Sequence, residues 1–153
     1  MIENGTCDTG VNPNGFSAIN SVAFGTWSLD TSDKYSGLGS QKVDLGSVTL
    51  SSAYIRCFYN QANINIPAKT GSKSYFAKIA VKPTNCTISS IDVRNLAGSQ
   101  IATLTKAFTI NSYEIWQGVI TFSSATPGAG FRVILTDGAV TSAVVNIDAM
   151  SLR

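Results

Sequence analysis

The stretch Tyr75-Phe76-Ala77-Lys78-Ile79-Ala80-Val81-Lys82 carries the pattern that decides the fold. Successive side chains of an extended strand point to opposite sides of the chain. The residues Tyr75, Ala77, Ile79 and Val81 therefore share one face, and Lys78 and Lys82 share the other. Such alternation predicts a strand that buries one face and exposes the opposite one.

Similar alternation of apolar and polar residues recurs along the chain, in residues 54–60, 91–94, 116–122 and 131–135. No window keeps an apolar stripe at helical spacing for three turns. The alternating segments are separated by turn-forming residues, among them Tyr35-Ser36-Gly37, Pro83-Thr84-Asn85 and Asp137-Gly138. We predict an all-β fold of roughly eight to ten short strands, arranged as a jelly-roll β-sandwich of two antiparallel sheets. One domain over residues 1–153 accounts for the length of the chain.

Composition narrows the classes of function. Charged residues make up 13% of the chain, and the formal net charge is +2 with no basic run. Nucleic-acid binding usually needs a clustered basic face, so we expect no nucleic-acid partner. No signal peptide is visible and no apolar stretch is long enough for a membrane helix, so we expect no membrane insertion. A polar, weakly charged surface suits an extracellular or virion protein, and the abrupt ends fit a domain excised from a longer chain.

Residues that could perform catalysis are scarce. The chain has no histidine, which removes the commonest general base. Glycoside hydrolysis needs two facing carboxylates. Asp92 and Asp137 are conceivable members of such a pair, but nothing in the sequence brings them together. We therefore predict that the protein is not an enzyme.

Several segments, taken in order, resemble those of one family. Residues 27–37 end a strand in an Asp-Thr turn and lead through a Ser-Gly pair into the strand of residues 40–43. Three further segments agree with the same family. They are the start of the chain (residues 2–6), the late Trp-to-Phe strand (residues 115–122) and the end of the chain (residues 146–152). Their order resembles bacterial carbohydrate-binding modules of the family 4/9/22 type, which are jelly rolls of the galactose-binding-domain-like kind. Similar modules also occur in phage tail and other virion proteins, and in bacterial surface proteins.

The resemblance implies a structural calcium ion that ties the first strand, the Asp-Thr loop and the last strand together. Glu3 and Asp148 stand at the matching positions, and the loop from Asp30 to Lys34 would add carbonyls or a side chain. Calcium takes hard oxygen ligands of this kind, and the two termini of an antiparallel sandwich can lie side by side. The chain departs from the family at residues 6–8 and at Ala149, which replaces an aspartate. The alternative is that Asp148 makes only a hydrogen bond near the sheet edge.

A second group of residues points to a ligand. Sugar rings stack on aromatic side chains, and their hydroxyls pair with planar polar ones. If Ile55 and Cys57 point inward, their neighbours point outward, as do other polar residues opposite apolar ones. We predict one concave ligand-binding face that contains Tyr54, Arg56, Asn60, Asp92, Arg94, Gln117 and Arg132. Trp27 is a further candidate, whereas we expect Trp116 in the core. The alternative is that the arginine stems simply cover the sheet.

Two functions compete on this basis. The first is a non-catalytic module that binds a polysaccharide or a cell-surface glycan through the concave face of the sandwich. The second is a structural, decoration or host-adhesion domain of a phage tail or another virion protein, with or without glycan binding. In both cases we expect the chain to act within a larger multidomain or virion assembly.

Overall fold

The computed structural model describes residues 2–3, 16–20, 26–51, 53–59, 72–95, 99–122 and 129–153, with the backbone alone at 2–3, 16–20 and 58–59. These residues form twelve β-strands and no α-helix. No helix capable of crossing a membrane occurs among them. The strands are β1 (Ile2–Glu3), β2 (Phe16–Asn20), β3 (Thr26–Asp30), β4 (Ser40–Thr49), β5 (Ala53–Tyr59), β6 (Lys73–Thr84), β7 (Ile88–Asn95), β8 (Gln100–Thr103), β9 (Thr105–Ile110), β10 (Tyr113–Phe122), β11 (Ala129–Leu135) and β12 (Ala139–Leu152).

The strands are arranged in two sheets. A seven-stranded sheet has the order β3-β4-β12-β6-β10-β9, with β1 paired to β12, and a five-stranded sheet has the order β2-β5-β11-β7-β8. Every strand pairing in the described part of the chain is antiparallel. The predicted all-β sandwich of two antiparallel sheets is therefore confirmed.

The hydrophobic core is built from the apolar faces that alternation predicted. Ile79 and Val81 of β6 are fully buried, whereas Lys78 and Lys82 lie on the other face. The five-stranded sheet contributes the buried side chains of β5, β7 and β11, among them Ile55, Cys57, Ile91, Val93, Phe131, Val133 and Leu135. Trp116 of β10 is buried in the same cluster, as predicted. Burial of each large aliphatic side chain stabilises the fold by about 1.5–3 kcal/mol, which fixes the face that each strand turns outward.

The first and last strands lie side by side. Ile2 pairs with Leu152, and Glu3 pairs with Ser151, in antiparallel register. The expected adjacency of the two ends of the sandwich is confirmed by this backbone pairing.

The loop between β3 and β4, residues 31–39, covers part of the outer face of the seven-stranded sheet. Tyr35 in this loop packs on Tyr113 of β10, with ring centroids 5.9 Å apart. The Tyr113 hydroxyl donates to the carbonyl oxygen of Asp33 at 3.2 Å, and burial raises the pKa of Tyr113 well above its ordinary value. This cover explains why Tyr113 and Ile115 are buried although they belong to a separate apolar cluster from the main core.

Asp148 of β12 fastens this loop to the sheet. The residue is fully buried, with 0% of its surface exposed. Its Oδ2 accepts the backbone N–H groups of Tyr35 and Ser36, both at 2.9 Å, and its Oδ1 accepts that of Ala149 at 2.6 Å. Hydrogen bonds to an ionised acceptor are stronger than those between neutral groups. The carboxylate therefore joins the loop after β3 to the last strand of the chain.

Replacing this carboxylate by an amide tests whether Asp148 holds the loop after β3 to the last strand. In Asp148→Asn the side-chain NH2 group would face one of the three backbone N–H donors, because an amide has only one oxygen acceptor. We expect the free energy of unfolding, measured by urea denaturation, to fall by about 2 kcal/mol. Asp44→Asn is the matched control, because Asp44 accepts one N–H group, from Gly46 at 3.0 Å, and asparagine accepts it equally well. An equal loss of stability in both variants would contradict the role of Asp148.

Candidate functional site

Most of the predicted polar residues converge on the outer face of the five-stranded sheet. Ile55 and Val133 face the core, so their neighbours Arg56 and Arg132 face outward, because side chains alternate along a strand. The same holds on β7 for Asp92, which follows the core residue Ile91. We call the resulting set the arginine face, and it consists of Tyr54, Arg56, Asp92, Arg94, Gln100, Thr103 and Arg132.

Four residues of the arginine face are consecutive register partners across the sheet. Arg56 pairs with Arg132, Arg132 pairs with Asp92, and Asp92 pairs with Thr103. Cβ atoms of such partners are about 4.5–5.5 Å apart. The strand pairing itself therefore holds two guanidinium groups, a carboxylate and a hydroxyl in one row. Groups placed on strands are positioned more accurately than groups placed on loops.

Asp92 is the centre of this row, and its side chain is only 4% exposed. Its Oδ2 accepts hydrogen bonds from Nη2 of Arg94 at 3.1 Å and from Nη2 of Arg132 at 3.2 Å. Its Oδ1 accepts from the Thr103 hydroxyl at 3.2 Å. A carboxylate removed from water is costly unless it is paired. Asp92 is stabilised by these contacts, and it orients both guanidinium groups in return.

Tyr54 supports the arginines from β5. The Cζ atom of Arg56 lies 4.7 Å from the centroid of the Tyr54 ring, and the Cζ atom of Arg132 lies 5.2 Å from it. Arg56 and Arg132 are direct cross-strand partners, an arrangement that is unfavourable for like charges. Attraction of both cations to the ring offsets part of this repulsion. The ring is thus packed against two guanidinium groups.

Gln100 and Thr103 belong to the arginine face, although they were not predicted from the sequence. Gln100 accepts from Nη2 of Arg94 at 3.3 Å through Oε1, and its Nε2 donates to the Thr103 hydroxyl at 2.9 Å. The two residues are three positions apart, so regular alternation would place them on opposite faces. The register shifts between Val93 and Arg94 where β7 pairs with β8, and both side chains reach the same network. The available signal was the Gly-containing turn before residue 100, which favours a hairpin partner for β7.

Two predicted residues lie elsewhere. Gln117 is on β10 and pairs with Lys78 of β6, so it belongs to the seven-stranded sheet. Trp27 is on β3, at the edge of that same sheet, and packs against the core. The prediction that Gln117 shares a face with the arginines was wrong, because alternation identifies the face of a strand but not the sheet that the strand joins. Trp27, the separate candidate, does not join the arginine face either. Asn60 lies outside the described residues.

The carboxylates predicted to hold calcium are engaged by hydrogen-bond donors. Oδ1 of Asp30 accepts the backbone N–H and the hydroxyl of Ser32, at 2.9 and 2.6 Å, and the N–H of Asp33 at 3.1 Å. The hydroxyl of Ser32 is the main cause that lowers the pKa of Asp30 below its ordinary value. Asp148 accepts three N–H groups, as described above. Oδ2 of Asp30 accepts from the Asn146 amide at 3.3 Å, so each oxygen of both carboxylates accepts at least one hydrogen bond.

The described carboxylates of the predicted calcium site are thus engaged as hydrogen-bond acceptors. No group of three His, Cys, Asp or Glu side chains converges in the part of the chain that the structure describes. The Lys34 side chain is exposed, and it is itself a cation. The side chain of Glu3 lies outside the described residues, so the calcium ion stays a prediction.

Several solved carbohydrate-binding modules share this fold of two antiparallel sheets. The N-terminal cellulose-binding domain of β-1,4-glucanase C from Cellulomonas fimi is 12% identical with a TM-score of 0.53, and the match covers 93% of this chain and 90% of that one. The xylan-binding CBM22-1 domain of Xyn10C from Paenibacillus barcinonensis is 12% identical with a TM-score of 0.52, and the match covers 97% and 90%.

Tailspike protein 4 of bacteriophage CBA120 contains a similar domain. It is 13% identical with a TM-score of 0.59, and the match covers 99% of this chain and 21% of that one. No protein-family model and no curated protein sequence matches the chain. The expected resemblance to carbohydrate-binding modules is confirmed at the level of the fold.

Neutralising Asp92 tests whether this carboxylate organises the arginine face. In Asp92→Asn, Arg94 and Arg132 lose their counter-charge, while their side chains are only 15% and 20% exposed. We expect the free energy of unfolding in urea to fall by about 2 kcal/mol. Added salt should reduce the loss, because it screens the repulsion between the remaining cations. If Asp92→Asn unfolds at the same urea concentration as the control Asp44→Asn, Asp92 does not organise the face.

Proposed function

We propose that this protein is a non-catalytic carbohydrate-binding module that binds a polysaccharide or a cell-surface glycan on the arginine face. The observation that carries the proposal is the row of Arg56, Arg132, Asp92 and Thr103 held in register across the sheet. Fixed planar donors and acceptors of this kind recognise sugar hydroxyls. Domains with the same fold are named for binding cellulose and xylan, which supports the proposal. In this account the arginine face is the concave surface on which the ligand lies.

The face binds without catalysing a reaction in this proposal. Glycoside hydrolysis uses two carboxyl groups on either side of the scissile bond. Among the described residues of the arginine face, Asp92 alone is acidic, and both of its oxygens accept hydrogen bonds. The chain also has no histidine to act as a general base. Binding is therefore the chemistry that this arrangement supports.

The second candidate is a structural, decoration or host-adhesion domain of a phage tail or another virion protein. The tailspike protein of a bacteriophage matches 99% of this chain in fold. The edge strand β9 exposes Phe108 at 49% and Ile110 at 46%, and an apolar sheet edge favours contact with another protein chain. For both candidates we propose that the chain works outside the cell or on a virion, within a larger assembly.

Native affinity electrophoresis with soluble polysaccharides tests the proposed function. We expect at least one gel among hydroxyethylcellulose, xylan, galactan and polygalacturonate to retard the protein. Arg94→Gln removes one guanidinium group, and Arg132 and Thr103 still bind Asp92, so the variant should fold and bind roughly tenfold more weakly. Arg153→Gln is the matched control, because it removes an exposed guanidinium group beside the seven-stranded sheet. It should bind as the parent does.

Two results would count against the proposed function. Retardation that is the same in Arg94→Gln as in the parent would place the ligand away from the arginine face. Retardation in none of the gels, together with stable oligomers in light scattering, would favour the structural role in a virion.

A further inference from the structure

The described part of the arginine face has more positively than negatively charged side chains. Three guanidinium groups accompany the single carboxylate of Asp92, which leaves two net positive charges on the described part of this face. The formal net charge of the whole chain is also +2.

This concentration of charge does not help the fold. Arg56 and Arg132 are direct register partners, and like charges in that position destabilise an antiparallel strand pair. Outward positions of a sheet accept neutral side chains as well as charged ones. On the same two strands, Ile134 pairs with Tyr54 at such a position. Sites where a sequence departs from what stability favours are commonly functional ones. A bound anion would remove the repulsion.

We infer that the arginine face selects an acidic glycan, one whose sugar residues carry a carboxylate as uronic acids do, an inference that rests on the proposed function. A guanidinium group binds a carboxylate through two parallel N–H···O bonds, a geometry that a sugar hydroxyl cannot match. Arg132 donates to Asp92 through Nη2, and 20% of its side chain is exposed. A ligand carboxylate beside Arg56 and Arg132 would act on them as Asp92 acts on Arg94 and Arg132.

The aromatic content of the face favours this ligand over two others. Neutral sugars and nucleic-acid bases are both bound largely by stacking on open aromatic rings. The Tyr54 ring is instead packed against Arg56 and Arg132. Among the described residues of the face, charged groups therefore outnumber aromatic rings, and an anionic sugar suits them better than a neutral sugar or a base.

Polygalacturonate and its methyl-esterified form are the decisive pair of ligands, because they share one backbone and differ in charge. We expect isothermal titration calorimetry to show that polygalacturonate binds at least roughly tenfold more tightly than the ester. Its affinity should also fall as sodium chloride is raised from about 0.05 M to about 0.5 M, because salt screens exposed charges.

Arg56→Gln is the test variant. The hydrogen bonds described for Asp92 come from Arg94, Arg132 and Thr103 on the face, so this substitution leaves that cluster in place. We expect a roughly tenfold loss of affinity for polygalacturonate and little change for the methyl ester. Arg153→Gln lowers the net charge equally but away from the face, and it should bind both polymers as the parent does. A loss of the same size in Arg153→Gln would overturn the inference.

Failure of this inference is distinguishable from failure of the proposed function. Equal binding of the acid and the ester, or a preference for neutral xylan, would overturn the acidic ligand and leave a glycan-binding module. Tighter binding of dextran sulfate than of polygalacturonate would replace the carboxylate by a sulfate ester. Equally tight binding of a single-stranded oligonucleotide, or binding to none of the polysaccharides, would overturn both.

Discussion

A carboxylate that is shielded from water on the outer side of a sheet has to be paired, and Asp92 meets this requirement with three side chains. Arg94 and Arg132 donate to one of its oxygens and Thr103 to the other. Arg56 then stands beside Arg132 without a contribution from Asp92, and Tyr54 contacts both cations. The composition of the whole face follows from this one ion-pair centre and from the register of four strands.

Each outer face of the sandwich contains a buried aspartate, and the two aspartates have different roles. On the seven-stranded sheet, Asp148 accepts three backbone N–H groups, and its effect is to hold the loop of residues 31–39 in place. On the five-stranded sheet, Asp92 accepts from side-chain donors, and two of these, Arg94 and Arg132, remain partly exposed. The first arrangement fixes a loop through neutral donors, so the negative charge of the carboxylate is retained. The second combines one carboxylate with three guanidinium groups, so the described part of the arginine face has a formal charge of +2.

Much of the fold was predictable from local pattern, because a buried face imposes period-two alternation on each strand. The side toward which Arg56, Asp92, Arg94 and Arg132 point followed directly from their apolar neighbours. Sheet membership did not, since it depends on pairing between distant segments. Gln117 was therefore assigned to the wrong side of the sandwich.

Other parts of the site depend on irregular backbone. The register shift between β7 and β8 brings Gln100 and Thr103 together despite their spacing, and no alternation rule predicts such a shift. At Asp148, the resemblance suggested a metal, whereas the structure shows backbone donors. One of these donors, the N–H of Ala149, belongs to a residue with a positive φ of 50°, next to a register shift in β12. An alanine in the sequence does not predict this conformation.

The central claim is that the arginine face is the surface on which an acidic glycan lies. NMR titration of the protein with a trigalacturonate oligosaccharide, observed through the arginine Nε–Hε resonances, tests it most directly. We expect the signals of Arg56, Arg94 and Arg132 to shift together and to saturate at one ligand concentration, while that of Arg153 stays in place. Shifts confined to Arg153 or to amides of the seven-stranded sheet would contradict it.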